Sequence, residues 1–276
     1  MYSELQRKVA VITGSGRENG LGAAMARRLA REGCHLVLSD LGQARGEHLP
    51  ENAIGSASEL EAIASSIASE FGVEVSTFCC NMLEESDIEG LAKHAVDTFG
   101  SLDIWVNNAG VGYLMKALVD TPAEEWDTVL GVNLRGMFLG IKHAARAMIA
   151  AGKGGKIVNI GSQASKSAFP EAGAYTTSKH GVVGLTRVAA KELGPHQINV
   201  NTICPNHVTT GLGAWQNQRF ADGDLDTYMA DMRARIPLGR EGLQADTANT
   251  CAFLCSDQSQ YITGECMNVS GGEEYH

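Results

Sequence analysis

The chain has 276 residues and a mass of 29.2 kDa, with 44% hydrophobic and 20% charged residues. This composition is typical of a globular protein with a sizeable core, and it excludes the disordered and fibrous classes. Acidic residues outnumber lysine and arginine by 32 to 22, which gives a net charge of −10. Nucleic acids and anionic membranes attract the opposite charge, so the sequence predicts neither as a partner.

The seven cysteines are odd in number and scattered through apolar sequence, without a Cys-x-x-Cys pair or a Cys/His cluster that suggests zinc. We therefore expect no metal, and reduced, mostly buried thiols. The N-terminal residues lead directly into a strand without an apolar signal region. No window holds the roughly 18 apolar residues that span a bilayer. A cytoplasmic protein without a membrane partner is predicted.

Short apolar, β-rich runs alternate with stretches of helical spacing along the chain. The predicted strands are Val9–Thr13, His35–Ser39, Val75–Cys80, Ile104–Asn107, Lys156–Ile160, Asn199–Cys204 and Cys266–Val269. The predicted helices are Leu21–Glu32, Ser58–Phe71, Ser86–Phe99, Glu124–Ala150, Ala174–Glu192 and Ala245–Cys255. This alternation predicts an α/β fold, a doubly wound parallel sheet with helices on both faces, in one domain over residues 1–276.

Local signals mark helix ends and two irregular segments. Ser86–Glu89 matches a capping box at the start of the third helix. Helix stops are predicted at Gly33, Gly72 and Gly100. The segments Leu41–Ala57 and Asn206–Pro237 lack helical or strand periodicity and read as long loops. Loops of this length in compact domains are often functional, and we expect residues 206–237 to form a substrate lid.

The first strand ends in the glycine-rich run Thr13–Gly22, and a helix begins at once. Such a turn lets backbone N–H groups approach a pyrophosphate at the positive end of a helix dipole. Because Asn19 interrupts the generic G-x-G-x-x-G pattern, this signal depends on its context. Asp40 supplies that context: it ends the second strand, 20 residues after Gly20, where a carboxylate accepts from both adenosine ribose hydroxyls.

Asp40 also favours NAD over NADP as the cofactor. A 2′-phosphate would meet this carboxylate as a like charge. Arg17 and Arg45 can offset that repulsion, so NADP stays open as the less favoured alternative. A solvated residue at a strand end is the simpler interpretation of Asp40.

Tyr175 and Lys179 lie four residues apart in a helical stretch and so share one helix face. A tyrosine titrates near pH 10, and a fixed cation close by favours the phenolate and lowers its pKa. Such a tyrosine exchanges a proton with a substrate oxygen. A pair at this spacing is, alone, more often structural.

Several motifs around this pair occur together in a family-specific order. They are TGSGRENGLG, Asn107-Asn108-Ala109-Gly110, Asn133 in LGVNLRG, Ser162 in IVNIGSQAS, Tyr175-x-x-x-Lys179, Pro205 in NVNTICP and the closing VSGG. Over essentially its whole length the chain resembles the short-chain dehydrogenases/reductases. The resemblance implies a Rossmann-like sheet of about seven strands and hydride transfer at nicotinamide C4.

The resemblance also implies the catalytic roles. Tyr175 would be the general acid/base, and Lys179 would lower its pKa and hydrogen-bond the nicotinamide ribose. Ser162 would hold and polarise the substrate oxygen, and Asn133 would place a water that links Lys179 to solvent. The simpler interpretations are a turn-capping hydroxyl for Ser162 and a helix kink for Asn133.

The resemblance implies cofactor contacts for a larger set of residues. Asn107 would brace the neighbouring strand, and Asn81 stands where the family commonly has an aspartate near the adenine. The set is Gly14, Arg17, Asn19, Gly20, Leu21, Asp40, Leu41, Asn81, Met82, Asn108, Ala109, Gly110, Tyr175, Lys179, Pro205, Val208 and Thr210.

Two departures from the family pattern concern the cofactor loops. Five residues, Ser15–Asn19, separate the first two glycines where the family has three, so Arg17 or Asn19 either reaches the pyrophosphate or bulges into solvent. Asn206 replaces the usual glycine after Pro205, and we expect it to keep that turn because asparagine tolerates left-handed conformations.

The substrate is less well defined by the sequence. A pocket is expected from Ser162, Gln163 and Ala164, with Tyr113, His207, Trp215, Asp222 and Tyr228. His207 is equally well explained as a structural loop residue. A secondary alcohol with further hydroxyls, such as a sugar or polyol, is favoured. The long loop after Asp40 resembles that of relatives that oxidise terpenoid or cyclic alcohols, and this resemblance is confined to the loop. The alternatives are a 3-oxoacyl-thioester reductase and a cofactor-binding regulator without chemistry. The resemblance further implies a homodimer or homotetramer through the helices 124–150 and 174–192.

Overall fold

The computed structural model describes residues 2–43, 54–112, 116–208, 210, 221 and 223–275. Its strands are β1 (Val9–Thr13), β2 (His35–Asp40), β3 (Val75–Cys79), β4 (Ile104–Asn107), β5 (Gly155–Ile160), β6 (Ile198–Pro205) and β7 (Cys266–Val269). They form one parallel sheet in the order β3-β2-β1-β4-β5-β6-β7. The predicted doubly wound sheet and its seven strands are confirmed.

The helices are α1 (Leu21–Arg31), α2 (Ala57–Phe71), α3 (Glu85–Phe99), α4 (Ala123–Leu130), α5 (Met137–Ala151), α6 (Gly173–Leu193), α7 (Leu225–Arg235) and α8 (Gln244–Cys255). One face of the sheet packs against α1, α2 and α8, and the other against α3, α5 and α6. Because side chains alternate along a strand, Ala10 and Ile12 enter the first core while Val9 and Val11 enter the second. Both faces of the sheet are therefore apolar, as its parallel strands require.

The strand order reverses beside β1, which pairs with β2 on one side and β4 on the other. In doubly wound sheets a crevice opens at this switch point, outside the carboxyl ends of the strands. The glycine-rich run follows β1 there, and Asn108 follows β4. The fold thus brings the predicted cofactor residues to one edge.

One predicted helix, 124–150, is divided in the structure. It consists of α4, a π-helical segment over Gly131–Gly136 and α5. Within the π segment, Asn133 bonds both backbone groups of Val111, in the loop after β4. π-Helical turns inside longer helices are frequent at functional sites.

Two further local predictions need correction. The capping box at Ser86 is wrong, because α3 begins at Glu85 with Glu84 as its N-cap and no capping side-chain bond. The Asp87 carboxylate instead accepts a hydrogen bond from the Asn81 N–H, at 3.0 Å, and so ties the first turn to the end of β3. The second is the loop predicted over 206–237, which contains α7. The glycine stops at 33, 72 and 100 are confirmed by their left-handed backbone.

Candidate active site

The glycine-rich run packs directly against the segment that follows β4. Gly14 has φ +65°, and a Cβ built on it would lie 2.7 Å from the Ala109 Cα, so a side chain does not fit there. The Thr13 hydroxyl accepts hydrogen bonds from the N–H groups of Asn108 and Ala109, each at 3.0 Å. The Asn108 side chain donates to the carbonyl oxygens of Thr13 and Gly14 at 2.9 and 2.8 Å. These bonds fix two loops expected to contact a dinucleotide.

Residues of the lengthened part of this loop turn toward the start of α2. Arg17 Nη1 donates to the Ile54 carbonyl at 3.3 Å and lies 3.9 Å from the Glu59 carboxylate. Gly20 caps α1, which begins at Leu21 without a capping side-chain bond. The opening of α1 therefore presents backbone at the loop, which is the arrangement that favours an anion.

Asp40 lies at the carboxyl end of β2 against the same loop. Its carboxylate accepts from the N–H of Gly16 and from the N–H of Leu41, both at 2.8 Å. Burial raises the pKa of the Asp40 carboxyl, and these two backbone bonds oppose that shift. Each carboxylate oxygen accepts one of these bonds and retains further capacity for ribose hydroxyls.

The predicted adenine neighbours lie at the end of β3. Asn81 uses its side-chain oxygen to accept from the Leu83 N–H at 3.1 Å, and Met82 is buried beside it. Asn107, at the end of β4, braces the next strand as expected, since its amide donates to the Asn159 side chain on β5 at 2.8 Å.

The predicted catalytic side chains converge from α6 and the end of β5. Lys179 Nζ lies 5.6 Å from the centre of the Tyr175 ring and donates to the Ile160 carbonyl at 2.8 Å. The Ser162 side chain lies near the Tyr175 phenol and lowers its pKa. Ser162 also accepts from the Ala164 N–H at 3.1 Å, so the turn-capping role and the contact with Tyr175 coexist.

Asn133 joins this group from the π-helical segment. It is fully buried, its side chain bonds both backbone groups of Val111 at 2.7 Å, and it donates to the Ser178 hydroxyl at 3.1 Å. Ser178 precedes Lys179 on α6. Asn133 therefore links the loop after β4 to the helix that carries both Tyr175 and Lys179.

Burial governs the ionisation of the pair. It lowers the pKa of the Lys179 ammonium from 10.5 to about 8. It raises the pKa of the Tyr175 phenol, while the hydrogen bond from Ser162 opposes that shift. The expected net lowering of the Tyr175 pKa by Lys179 is thus not found, because desolvation of the phenolate is the larger effect.

Two features near the catalytic group escaped sequence reasoning. Gly112 lies against the Tyr175 ring, where a Cβ would come within 2.7 Å of Cε2. Glu274, near the C-terminus, accepts from Gln163 Nε2 at 2.8 Å. The sequence does contain a signal for Gly112, because the NNAG motif continues as NNAGVG. Nothing in the local sequence pattern singles out Glu274.

The loop after β6 carries the remaining described site residues. In this turn His207 has the left-handed backbone conformation, with φ 44°, and Asn206 does not. This corrects the expectation that Asn206 keeps the turn through a left-handed conformation of its own. His207 Nε2 lies 3.1 Å from the Glu273 carboxylate. Val208 pairs with Gly242, and Thr210 donates its N–H to the Val208 carbonyl at 2.8 Å.

Some predicted pocket residues cannot be assigned a position. Tyr113, Trp215 and Asp222 lie outside the described residues, as does Arg45, whereas Tyr228 is half-buried on α7. Among the residues that are described, no helix is long and apolar enough to cross a membrane. Those same residues form no cluster of three or more His, Cys, Asp or Glu that could hold a metal ion.

Comparisons with known proteins agree with this geometry. A family model described as enoyl-(acyl carrier protein) reductase matches residues 14–274. A short-chain dehydrogenase/reductase of Armillaria gallica is 36% identical over 97% of this chain and 96% of its own. A 3-oxoacyl-[acyl-carrier-protein] reductase of Staphylococcus aureus is 34% identical over 96% of this chain and 97% of its own.

Solved structures show the same likeness. Carveol dehydrogenase from Mycobacterium avium in complex with NAD has a TM-score of 0.90 at 30% identity, over 99% of each chain. An NAD+-bound xylitol dehydrogenase has a TM-score of 0.87 at 31% identity, over 98% of this chain and 100% of its own.

Proposed function

This chain belongs to the short-chain dehydrogenase/reductase family, and we propose that it is an NAD-dependent oxidoreductase that interconverts a secondary alcohol and its ketone. The observation that carries the proposal is the convergence of Ser162, Tyr175 and Lys179 at the loop after β4, which itself packs against the glycine-rich loop. A cofactor-binding protein without chemistry would have no need of this complete group, so that alternative is disfavoured.

The residues at the sheet edge fit a dinucleotide. Gly14 leaves no room for a side chain, α1 opens toward the loop, and Asp40 lies where an adenosine ribose is expected. Once bound, this cofactor accepts or donates a hydride at the nicotinamide ring. The full set of cofactor contacts listed from the sequence, from Gly14 to Thr210, stays part of the proposal.

The protein's own residues would supply positioning and proton transfer. Ser162 holds the substrate oxygen beside the Tyr175 hydroxyl, whose pKa it lowers. During oxidation Tyr175 takes the alcohol proton, and during reduction it returns that proton to the carbonyl oxygen. Lys179 is the cation nearest to the phenol, 5.6 Å from the ring centre, and Asn133 holds α6 to the loop after β4.

NAD is proposed over NADP because of Asp40. A 2′-phosphate would meet a carboxylate already fixed by two backbone bonds. Arg17, which could offset that charge, donates to the Ile54 carbonyl and lies near Glu59. The NAD-bound state of the two structural neighbours supports the same choice.

The proposed substrate is a neutral alcohol with further polar groups or a ring, such as a polyol or cyclic alcohol. Gln163, which follows Ser162, is paired with Glu274, and His207 is paired with Glu273. Carboxylates this close disfavour an anionic substrate. A 3-oxoacyl-thioester reductase is the second candidate, because the Staphylococcus aureus relative carries that description and the family model is also described by an acyl-carrier-protein substrate.

The deciding experiment follows nicotinamide absorbance with NAD and NADP in parallel. The panel contains xylitol, carveol, a simple cyclohexanol, their ketones and a 3-oxoacyl thioester. We expect turnover of a neutral alcohol with NAD, near-complete loss in Tyr175→Phe with unchanged NAD affinity, and a relative gain for NADP in Asp40→Ala. Turnover confined to the thioester would favour the second candidate, and full activity in Tyr175→Phe would overturn the mechanism.

Assembly, domain count and location stay proposals. Phe138 on α5 and Val188 on α6 are 46% and 54% exposed, which supports a homodimer or homotetramer through these helices. We likewise propose one domain, a lid over 206–237 and a cytoplasmic location.

A further inference from the structure

Glu273, in the segment after β7, binds two elements at once. Its carboxylate accepts a hydrogen bond from Asn206 Nδ2 at 2.6 Å and lies 3.1 Å from His207 Nε2. Its other oxygen lies 3.6 Å from Arg235 Nε at the end of α7. The Glu273 side chain is only 14% exposed, so these contacts are partly shielded from water. The residue thereby ties the loop after β6 to α7.

Glu274 reaches the opposite wall of the site. Its Oε1 accepts from Gln163 Nε2 at 2.8 Å and from the Ser167 hydroxyl at 2.6 Å. Both donors belong to the loop after β5, and Gln163 directly follows Ser162. The Glu274 N–H in turn donates to the Ser270 hydroxyl at 3.2 Å, which anchors the residue to the end of β7.

The two consecutive carboxylates therefore connect the loops on the two sides of the catalytic group. Bonds to an ionised acceptor are about twice as strong as neutral ones, and each of these acceptors takes two donors or an ion pair. Asn206 lies two residues before Val208, which is one of the cofactor contacts in the proposed function.

We propose that Glu273 and Glu274 are positioning residues with separate tasks, Glu273 for the cofactor side of the site and Glu274 for the substrate side. Glu273 acts through Asn206 and His207 on the loop that leads to Val208. Glu274 acts through Gln163 on Ser162. The assignment of tasks rests on the proposed function, whereas the contacts themselves do not.

The test compares Glu273→Gln and Glu274→Gln with the control Glu265→Gln, an exposed carboxylate at the start of β7. Each variant is measured for NAD affinity by calorimetric titration, for the KM of the alcohol and for its melting temperature. Loss of a charge-assisted bond predicts a change of roughly tenfold. We expect Glu273→Gln to raise the Kd of NAD by that factor, and Glu274→Gln to raise the KM of the alcohol with NAD binding unchanged.

Two further variants replace residues that donate hydrogen bonds to these glutamates, and they distinguish the proposed roles from a loss of folding. Asn206→Ala is expected to weaken NAD binding like Glu273→Gln, and Ser167→Ala to raise the KM like Glu274→Gln. Equal losses of both parameters in every variant, together with a lower melting temperature, would show a merely structural role and overturn the inference. Unchanged Kd and KM would overturn it as well.

The outcome separates this inference from the proposed function. If the wild type oxidises no alcohol and reduces no ketone, the proposed function fails. The NAD titration still decides the Glu273 assignment, because an unchanged Kd in Glu273→Gln would overturn it without any turnover.

Discussion

The Lys179 ammonium is buried, and burial disfavours its charged form. Its side chain is 4% exposed, and burial lowers the pKa of its ammonium from 10.5 to about 8. The pKa of Lys179 is therefore lower in the native state than in the unfolded state. At every pH at which both states carry the proton, the charged lysine lowers the free energy of unfolding. Sites that serve function are often strained in this manner, and the cost appears in stability.

The Lys179→Met variant should therefore be more stable and inactive. Replacing the buried ammonium raises the free energy of unfolding near pH 7 by up to about 3 kcal/mol, since each pKa unit corresponds to about 1.4 kcal/mol. The loss of the donor to the Ile160 carbonyl makes this an upper limit. Urea denaturation of the cofactor-free proteins measures the difference, and the absorbance assay measures activity.

The pH dependence of this difference has a definite sign. Between the native pKa of about 8 and the unfolded value of 10.5, the unfolded state binds more protons, so wild-type stability rises with pH in this window. The gap to Lys179→Met should shrink accordingly toward pH 10. Lys153→Met, at an exposed position after α5, is the control and should change little. A less stable Lys179→Met at pH 7 would contradict the argument.

The loop after β4 contacts the catalytic tyrosine directly. Asn133 holds Val111 by two hydrogen bonds of 2.7 Å, and the next residue, Gly112, lies flat against the Tyr175 ring. The π-helical segment, the loop and α6 thus form one packed unit around the phenol.

Gly112→Ala tests this packing. The added Cβ would lie 2.7 Å from Tyr175 Cε2, so the ring must move. A misplacement of about 1 Å in a catalytic group lowers the rate by up to about 100-fold, and overpacking costs roughly 1–3 kcal/mol of stability. We expect a lower kcat with NAD affinity largely retained, measured by steady-state kinetics and titration.

Gly184→Ala on α6 is the matched control, because nothing lies within 4 Å of its Cβ position. Alanine is the better helix former, so this variant should be as stable as the wild type or more so. If both glycine variants leave kcat unchanged, Gly112 does not position the tyrosine.

Sequence reasoning succeeded for these elements where the signal is local. Periodicity and glycine stops predicted the seven strands and most helices, and the motif order predicted the convergence of Ser162, Tyr175 and Lys179. It failed where distant contacts decide the outcome. The π-helical segment depends on Asn133 bonding a loop 22 residues away, and the capping box at Ser86 gave way to the bond between Asp87 and Asn81. The hydrogen bonds of Glu273 and Glu274 join residues that are far apart in sequence, so their role becomes visible only in the folded structure.

At the scale of the whole molecule, a buried chain of hydrogen bonds links three strands and a helix that are far apart in sequence. Trp105 Nε1 donates to Asn107, Asn107 to Asn159, and Asn159 to the Thr186 hydroxyl on α6, at 2.6, 2.8 and 2.9 Å. Thr186 then bonds Thr202 on β6 at 2.7 Å. This network joins β4, β5, α6 and β6, and so aligns the sheet edge with the helix that carries the catalytic pair.

Asn159→Leu should show how much the fold depends on this network. The substitution keeps a similar volume but leaves the Asn107 amide without its acceptor and Thr186 without its donor. Thr186 keeps its hydrogen bond to Thr202, so only the Asn107 amide is left unpaired. A buried polar group left unpaired predicts a loss of about 1–3 kcal/mol in the free energy of unfolding. Thr202→Val removes only the far end of the chain and should cost less. Urea denaturation measures both variants. If Thr202→Val destabilises the protein as much as Asn159→Leu, the stability resides in separate pairs and not in the connected chain.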